Sequence, residues 1–333
     1  MKIAFFELER WEEEYLKGKL KGHKILFFKK PLSLNNVNKI NDFNIIGIFV
    51  YSKLDAKMLE KFDRLKFIAT MSAGFDHIDL EYCKKKGIKV SNIPYYGENT
   101  VAEHTFGLLL ALSKKIYESI YKTKRDDFSI KGLMGFDLKG KTLGIIGPGR
   151  IGQLVIKIAK GFEMNIITYA PNKNKKLSRE LGFKWVSLND LLNKSDIITI
   201  HAPLNDSTKH MINMNNVVKI KKGAYLINTA RGEIVDTEAL VYGLDRGIIA
   251  GAGLDVLEGE YNIKEEKELL HLHFKKKYDW NTFIRNHLLL KEKNVIITPH
   301  SAFYTREALE RILDTTIDNI KQFLKGKVSN KVV

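Results

Sequence analysis

Residues 142–152 read TLGIIGPGRIG, an apolar run followed by three glycines at the spacing G-x-G-x-x-G. The next residues, 153–162, repeat apolar side chains at helical spacing. Gly147 permits a tight turn, Gly149 lets the backbone approach an anion, and Gly152 allows the helix to pack closely on the strand. Because the amino end of a helix attracts negative charge, the stretch predicts a strand, a pyrophosphate-binding turn and a helix.

The residues around this turn complete a candidate dinucleotide site. Arg150 adds a cation within the loop, and Ile151 opens the helix. A glycine triplet also occurs in ordinary strand-to-helix turns, but its place directly after an apolar strand favours the dinucleotide interpretation. Ala170 departs from the usual pattern, since an acid at the end of the second strand normally holds the ribose hydroxyls.

Short apolar runs on both sides of the turn alternate with helical patterns, which is typical of parallel sheets with crossover helices. Upstream, strands are predicted at residues 2–8, 24–28, 45–51, 67–71 and 89–93. From the turn onward, six more are predicted at residues 142–146, 165–169, 197–200, 225–228, 253–256 and 295–298. The predicted fold class is α/β, with two doubly wound parallel-sheet domains.

Two long helical patterns predict how the domains are connected. Residues 101–121 form one pattern with few breakers, which predicts a single connecting helix. The amphipathic segment 305–326 follows the second strand series and is expected to return to the first domain. The prediction is a Rossmann cofactor domain at residues 100–302, inserted into a flavodoxin-like substrate domain of residues 1–99 and 303–333, with the active site in the cleft between them.

The composition is typical of a folded cytoplasmic protein. With 333 residues, 44% of them hydrophobic, the chain is long enough for two cores. No apolar run approaches the roughly 18–20 residues of a membrane span, and the first residues turn acidic before a signal-peptide core forms. The single cysteine, Cys83, excludes an internal disulfide and is expected to be semi-buried and not catalytic.

The formal net charge of +16 raises the question of a nucleic-acid partner. The densest lysine runs, at residues 84–86, 173–176 and 275–277, lie in separate segments without an aromatic platform. A solvated basic surface that attracts anionic substrate and cofactor is the preferred interpretation, with neither a nucleic-acid nor a membrane partner. His271 and His273 are expected to decorate a helix or loop and to bind no metal.

Six ordered motifs carry a resemblance to a known family. They are SAGFDHIDL at residues 72–80, NTVAEHTF at 99–106, the glycine turn, INTARGEIVD at 227–236, GAGLDVLEGE at 251–260 and ITPHSAFYT at 297–305. Together they resemble the D-isomer-specific 2-hydroxyacid dehydrogenases, most closely the D-lactate dehydrogenase branch. The resemblance implies reversible hydride transfer between a nicotinamide cofactor and a small 2-keto acid such as pyruvate.

The resemblance implies an Arg, Glu and His catalytic set at Arg231, Glu260 and His300. The guanidinium of Arg231 suits a forked contact with a substrate carboxylate and can polarise the carbonyl oxygen. His300 is the proton donor during reduction, and Glu260 orients its imidazole and favours its protonated form. Glu258 competes for that role, but Glu260 lies five residues after Asp255, as the family pattern has it. Direct hydride transfer needs no metal.

The resemblance also implies binding positions, several of which act through backbone atoms. The substrate positions are Ser72, Ala73, Gly74, Tyr96 and Phe303. The cofactor positions beyond the glycine turn and Ala170 are Thr100, Val101, Ala202, Pro203, Thr229 and Asp255. Asp255 is expected to accept a hydrogen bond from the nicotinamide carboxamide. NAD is the expected cofactor, with NADP use possible because Ala170 replaces the usual acid.

Alternatives stay open within and outside this chemistry. Another branch of the family would act on glyoxylate, hydroxypyruvate or a branched 2-keto acid, although the long segment between Glu260 and His300 favours the D-lactate branch. The same fold also serves as a nucleotide-sensing corepressor, which would bind dinucleotide but reduce keto acids poorly. The resemblance further implies a homodimer formed through the cofactor domain.

Overall fold

The computed structural model describes residues 1–260 and 280–333. These residues form two compact units, unit 1 of Met1–Gly97 and Tyr304–Val333 and unit 2 of Glu98–Phe303. His271, His273 and the lysine run at residues 275–277 lie outside the described residues, so the expectations about them stay predictions. In the part of the chain that the structure describes, no helix has the length and apolar character needed to cross a membrane.

Unit 1 is built on a five-stranded sheet in the order β2-β1-β3-β4-β5, and all its strand pairs are parallel. Its strands are β1 (Lys2–Phe6), β2 (Lys24–Phe28), β3 (Ile45–Ile48), β4 (Phe67–Thr70) and β5 (Lys89–Ser91). Its helices are α1 (Arg10–Lys19), α2 (Ala56–Leu59) and α3 (Leu80–Lys86). This strand order is that of flavodoxin-like sheets.

A long helix near the carboxyl terminus completes unit 1. The Thr305 hydroxyl caps its amino end by accepting from the Ala308 amide, and the helix, named α11 below, spans Arg306–Leu324. It packs against β4, where the Phe67 and Phe323 rings stack with centroids 4.4 Å apart. The helix therefore belongs to the same core as the first strand series.

Unit 2 is built on a seven-stranded sheet in the order β12-β11-β10-β9-β6-β7-β8, again with parallel pairs. The strands are β6 (Thr142–Ile146), β7 (Asn165–Tyr169), β8 (Lys184–Trp185), β9 (Ile197–Ile200), β10 (Ala224–Asn228), β11 (Ile249–Leu254) and β12 (Val295–Ile297). The described helices are α4 (Glu98–Ser113), α5 (Ile116–Thr123), α6 (Arg150–Gly161), α7 (Lys175–Leu181), α8 (Leu188–Lys194), α9 (Thr237–Asp245) and α10 (Trp280–Leu289). The predicted fold class is confirmed.

The two faces of the unit 2 sheet carry separate cores, because successive side chains of a strand point to opposite faces. Ile145 joins a core with Ala102 and Val155, whereas the next residue, Ile146, joins a core with Leu191. Both faces of the sheet are therefore covered, which leaves its strand ends as the places where ligands approach.

The structure differs from the predicted helix over residues 101–121. Helix α4 ends at Ser113 and α5 begins at Ile116, with Lys115 in a left-handed conformation at φ +53°. The carbonyl of Ser113 accepts from the Phe136 amide at 2.9 Å. A single helix was therefore the wrong prediction, because a contact with a distant segment takes the place of the next helical turn.

Two smaller predictions also need correction. The second strand series has a seventh member, β8, which pairs with β7 through only two residues and is too short to produce a periodic pattern. Cys83, expected to be semi-buried, is fully buried. Burial raises the pKa of its thiol to about 11, so the thiolate that a nucleophile needs is disfavoured.

Candidate active site

The glycine turn after β6 is fixed by close packing at two of its three glycines. Gly147 has φ +88°, and an added Cβ would lie 2.8 Å from the carbonyl oxygen of His201. An added Cβ at Gly152 would lie 2.4 Å from the carbonyl oxygen of Gly147. The protein's own packing therefore requires both glycines.

Gly149 differs from the other two glycines of the turn. An added Cβ there would meet no atom of the described residues within 4 Å. Gly149 is the N-cap of α6, and in the described part of the chain no side chain caps this helix end. Backbone amides at such an end attract anions, so Gly149 fits a position that faces a pyrophosphate.

The two residues after Gly149 frame the same helix end. Nη1 of Arg150 lies 3.8 Å from Oε1 of Glu98 in α4, so the guanidinium shares its charge with a neighbouring carboxylate. Ile151 is half-buried in the first turn of α6. The turn therefore combines backbone donors with one partly neutralised cation.

The ends of β7 and β9 lie on either side of the glycine turn. The Gly147 amide donates to the carbonyl of Tyr169 at 2.9 Å, which places Ala170 directly beside the turn. On the β9 side, the Ala202 nitrogen would lie 2.9 Å from a Cβ at Gly147, and Pro203 follows it. This edge is the point where the strand order of the sheet reverses, the usual ligand position in doubly wound sheets.

His201 lies at this edge with an unusual buried imidazole. Burial lowers its pKa to about 3, so the ring is neutral. Nε2 is 2.9 Å from the Thr199 hydroxyl, whereas Nδ1 is buried and has no hydrogen-bond partner among the described residues. An orphaned nitrogen beside the glycine turn fits a further polar group bound at this edge.

Helix α4 brings three of the predicted cofactor positions together. Thr100 and Val101 lie in its first turns, and Thr100 is buried. The Thr105 hydroxyl donates to the carbonyl of Val101 at 2.8 Å and lies 3.0 Å from the hydroxyl of Thr229. The first turns of α4 and the end of β10 are therefore in direct contact.

His300 and Glu260 form a close pair. Nδ1 of His300 lies 2.5 Å from Oε1 of Glu260, and both side chains are partly exposed. His300 has φ +55°, a left-handed conformation that few non-glycine residues adopt. Glu258, the competing acid, is instead paired with His210 at 2.6 Å. The structure thus gives the two neighbouring carboxylates different partners.

Asp255 holds the turn that carries His300. Its side chain is 1% exposed. One carboxylate oxygen accepts from the Thr298 hydroxyl at 2.5 Å and the Ser301 amide at 2.8 Å, and the other accepts from the Ala302 amide at 2.9 Å. The His300 amide donates to the Asp255 carbonyl at 2.9 Å. Asp255 therefore stabilises the left-handed turn that carries His300.

Arg231 lies at the start of a 3-10 helix, Gly232–Ile234, that follows β10. Its guanidinium is exposed and donates to the carbonyl of Ala230 at 2.7 Å. The buried side chain of Asn228 closes this turn, since it donates to the Arg231 carbonyl at 2.9 Å and accepts from the Ala230 amide at 3.0 Å. The backbone of Arg231 is therefore held while its cationic head stays accessible.

Four of the five predicted substrate positions belong to unit 1. The Ser72 carbonyl accepts from the Ile93 amide at 3.0 Å, and the Ala73 carbonyl accepts from the Asn92 side chain at 2.9 Å. Because the C=O and N–H of a trans peptide point in opposite directions, the amides of Ala73 and Gly74 point away from this segment.

Tyr96 and Phe303 complete the predicted substrate positions. Tyr96 is half-buried after β5, and its carbonyl accepts from Nε of Arg311 at 2.6 Å. Phe303 is the last residue of unit 2 and is half-buried. The structure thus groups residues 72–74 and Tyr96 in unit 1, and the other predicted site residues in unit 2.

Three supporting residues were not predicted from the sequence. Asn228 closes the Arg231 turn, Thr298 donates to Asp255, and His210 pairs with Glu258. The signal for Asn228 and Thr298 is a polar residue at the end of an apolar strand. His210 offers no such signal, because its partner is 48 residues away in the chain.

Residues 106–302 match the family model described as the NAD binding domain of D-isomer specific 2-hydroxyacid dehydrogenases. Among solved structures, a D-lactate dehydrogenase from Aquifex aeolicus, complexed with NAD and lactic acid, is 40% identical. The similarity has a TM-score of 0.84 and covers 97% of this chain and 96% of that one.

Curated relatives of similar identity carry other substrate names. An aromatic 2-oxoacid reductase of Clostridium sporogenes is 39% identical over 94% of this chain and 92% of its own length. A glyoxylate reductase of Thermococcus litoralis is 36% identical over 99% of this chain and 91% of its own length. The relatives therefore share a reaction type and differ in the named substrate.

Proposed function

This chain belongs to the D-isomer specific 2-hydroxyacid dehydrogenase family, and we propose that it reversibly transfers a hydride between NAD(H) and the D-lactate and pyruvate pair. The observation that carries the proposal is the 2.5 Å contact between His300 and Glu260 in the same unit as the glycine turn. The Aquifex aeolicus structure, with NAD and lactic acid bound, supports this choice of substrate.

The proposed chemistry follows from the geometry of the three catalytic candidates. Since Nδ1 of His300 contacts Glu260, Nε2 is the ring nitrogen that would give a proton to the carbonyl oxygen of the keto acid. Glu260 orients the imidazole and stabilises its positive charge. The exposed guanidinium of Arg231 would bind the substrate carboxylate. Within unit 1, the amides of Ser72, Ala73 and Gly74 stay the predicted contacts for a substrate carboxylate.

The cofactor would lie along the edge formed by β6, β7 and β9. The open space at Gly149 would face the pyrophosphate, and Ala170, Ala202 and Pro203 would face the adenosine side. Thr100, Val101, Thr229 and Asp255 would surround the nicotinamide, which supplies or accepts the hydride when bound. We propose NAD as the cofactor, with weakened exclusion of NADP because of Ala170.

A second substrate class has specific support. The Clostridium sporogenes reductase, named for aromatic 2-oxoacids, is 39% identical to this chain, compared with 40% for the Aquifex aeolicus enzyme. An aromatic 2-keto acid is therefore the second candidate. A corepressor-like function is the alternative from outside enzymology, and turnover separates it from both.

Steady-state kinetics with a panel of 2-keto acids tests the proposal. The panel contains pyruvate, phenylpyruvate, hydroxypyruvate, glyoxylate and 2-ketoisocaproate, each with NADH and NADPH. We expect the highest kcat/KM with pyruvate and NADH, and D-lactate as the product. A higher kcat/KM for phenylpyruvate would select the aromatic class, and dinucleotide binding without turnover of any member would contradict an enzyme.

Replacing Glu260 by Gln should lower kcat for keto-acid reduction by roughly 10–100-fold, as for small misplacements of catalytic groups. The variant removes the carboxylate that lies 2.5 Å from Nδ1 of His300 and holds the imidazole in place. The measurement is steady-state kcat and KM for pyruvate. Glu238→Gln, which removes an exposed carboxylate from α9, is the matched control and should keep the wild-type kcat. A wild-type kcat in Glu260→Gln would contradict the assignment of Glu260.

We further propose that the chain forms a homodimer through unit 2. Helix α5 has no buried residue, and the exposed large apolar side chains of segment 116–134 are Ile116, Tyr117, Ile120, Tyr121, Phe128, Ile130 and Met134. A contiguous sequence segment with this many exposed apolar side chains is typical of a contact surface. Sedimentation equilibrium should give twice the chain mass, and Ile130→Asp with Met134→Asp should return it to that of one chain.

A further inference from the structure

Glu258 lies two residues before Glu260 and is unusually well bound for a loop acid. Its side chain is 16% exposed. Oε1 lies 2.6 Å from Nε2 of His210, and Oε2 accepts from both the amide and the hydroxyl of Thr237, at 3.1 and 2.7 Å. The backbone carbonyl of Glu258 accepts from the buried side chain of Asn286 at 2.8 Å. Three separate segments therefore converge on one residue.

This residue sits within the turn that carries Glu260. The Glu260 amide donates to the Leu257 carbonyl at 3.2 Å, and Gly259 between them has φ +65°. In a turn this short, the position of Glu258 determines the direction in which the Glu260 side chain points. The hydrogen bonds of Glu258 therefore act on the carboxylate that contacts His300.

The same turn also packs against the Arg231 loop. An added Cβ at Gly232 would lie 2.0 Å from the carbonyl carbon of Leu257 and 2.2 Å from the nitrogen of Glu258. On the other side, the His210 amide donates to the carbonyl of Glu233 at 2.8 Å. The backbone beside Arg231 thus contacts both Glu258 and the segment that holds His210.

We propose that Glu258, His210 and Thr237 form a positioning clamp that holds Glu260 on His300 and fixes the Arg231 loop beside it. The inference rests on the proposed function, since it assigns these three residues to the support of that chemistry. The two nearby acids then have separate tasks: Glu260 contacts the imidazole, and Glu258 fixes the turn from which Glu260 reaches it. Small displacements of such groups are costly, because the reacting atoms must be aligned.

A purely structural role is the competing explanation. Oε2 of Glu258 accepts the first amide of α9, where a negative charge also interacts favourably with the helix end. Loss of this cap would loosen α9 without any specific effect on His300. The test therefore needs a signal that comes from the imidazole contact itself.

The test uses the full chain in four variants. Glu258→Ala removes the clamp, and His210→Ala removes one hydrogen-bond partner of Glu258 at a half-buried position. Glu258→Gln keeps an acceptor for Thr237 and a partner for His210. Glu238→Ala is the matched control, because it removes another carboxylate that connects α9 and α10. Glu238 in α9 accepts from Arg285 in α10 at 2.7 Å. Each variant is measured for kcat and KM with a keto acid and for the downfield proton resonance of a short imidazole–carboxylate hydrogen bond without any ligand.

We expect Glu258→Ala and His210→Ala to lower kcat by roughly 10–100-fold, as for small misplacements of catalytic groups. KM for the keto acid should rise as well, because a displaced Arg231 loop would bind the substrate carboxylate less well. The downfield resonance, assigned by its loss in Glu260→Gln, should weaken in both. Glu258→Gln should retain more of the kcat and of the resonance than Glu258→Ala, and Glu238→Ala should match wild type.

Two results would overturn the clamp. One is a Glu258→Ala variant with wild-type kcat and an intact resonance, and the other is an equal loss in Glu238→Ala, which would assign the effect to helix packing. Failure of the proposed function looks different. In that case the wild type would reduce none of the keto acids, while the resonance would still report whether Glu258 positions Glu260.

Discussion

Replacing His300 by Gln should lower kcat for keto-acid reduction by on the order of 10²–10⁴-fold, the usual effect of removing a general acid. Gln cannot give up a proton at neutral pH, whereas the other groups of the site stay in place. The affinity for NADH, followed by its fluorescence, should change little, because the side chain of His300 is not one of the proposed cofactor contacts.

The left-handed backbone of His300 calls for a second variant. Asn adopts this conformation more readily than most residues, so His300→Asn keeps the turn and still removes the proton donor. Both variants should lose kcat to a similar extent. His23→Gln, a histidine change in unit 1 at a half-buried position, serves as the control and should behave as wild type. Near-normal turnover in both His300 variants would mean that another group donates the proton.

The sequence was sufficient to predict features that depend on neighbouring residues. The glycine turn and every strand except β8 follow local sequence patterns, and these strands lie within a few residues of their predicted positions. The family resemblance rested on ordered motifs, and the match over residues 106–302 confirms it. These features could be predicted because burial on both faces of a parallel sheet imposes apolar runs of strand length.

Features that depend on distant contacts could not be predicted in this way. Residues 101–121 have a continuous helical pattern, yet the Phe136 amide takes the carbonyl of Ser113 and the chain turns at Lys115. The partner of Glu258 was also hidden, because His210 is 48 residues away in the chain. The pairing of Glu260 with His300 was expected only from the family resemblance, since two acids in one loop offer the same chemistry to any histidine.

Introducing Asp at position 170 should lower kcat/KM for NADPH by roughly 10²–10³-fold, because close like charges cost several kcal/mol. The physical basis is the position of Ala170, which follows β7 beside the glycine turn where the adenosine ribose would lie. A carboxylate there repels a 2′-phosphate and accepts hydrogen bonds from the unmodified ribose. Use of NADH should therefore stay the same or improve.

The exposed lysines next to position 170 are not expected to make the wild-type enzyme prefer NADPH. Lys173 and Lys175 could attract a phosphate, but no arginine directly follows Ala170 to clamp it, so wild type should prefer NADH and still use NADPH. Asn172→Asp is the matched control for Ala170→Asp, because it adds the same charge two residues further along an exposed loop. Only the change at 170 should separate the cofactors in steady-state assays with pyruvate. If wild type already rejects NADPH by several thousandfold, about 5 kcal/mol, another group supplies the discrimination and this role of Ala170 is wrong.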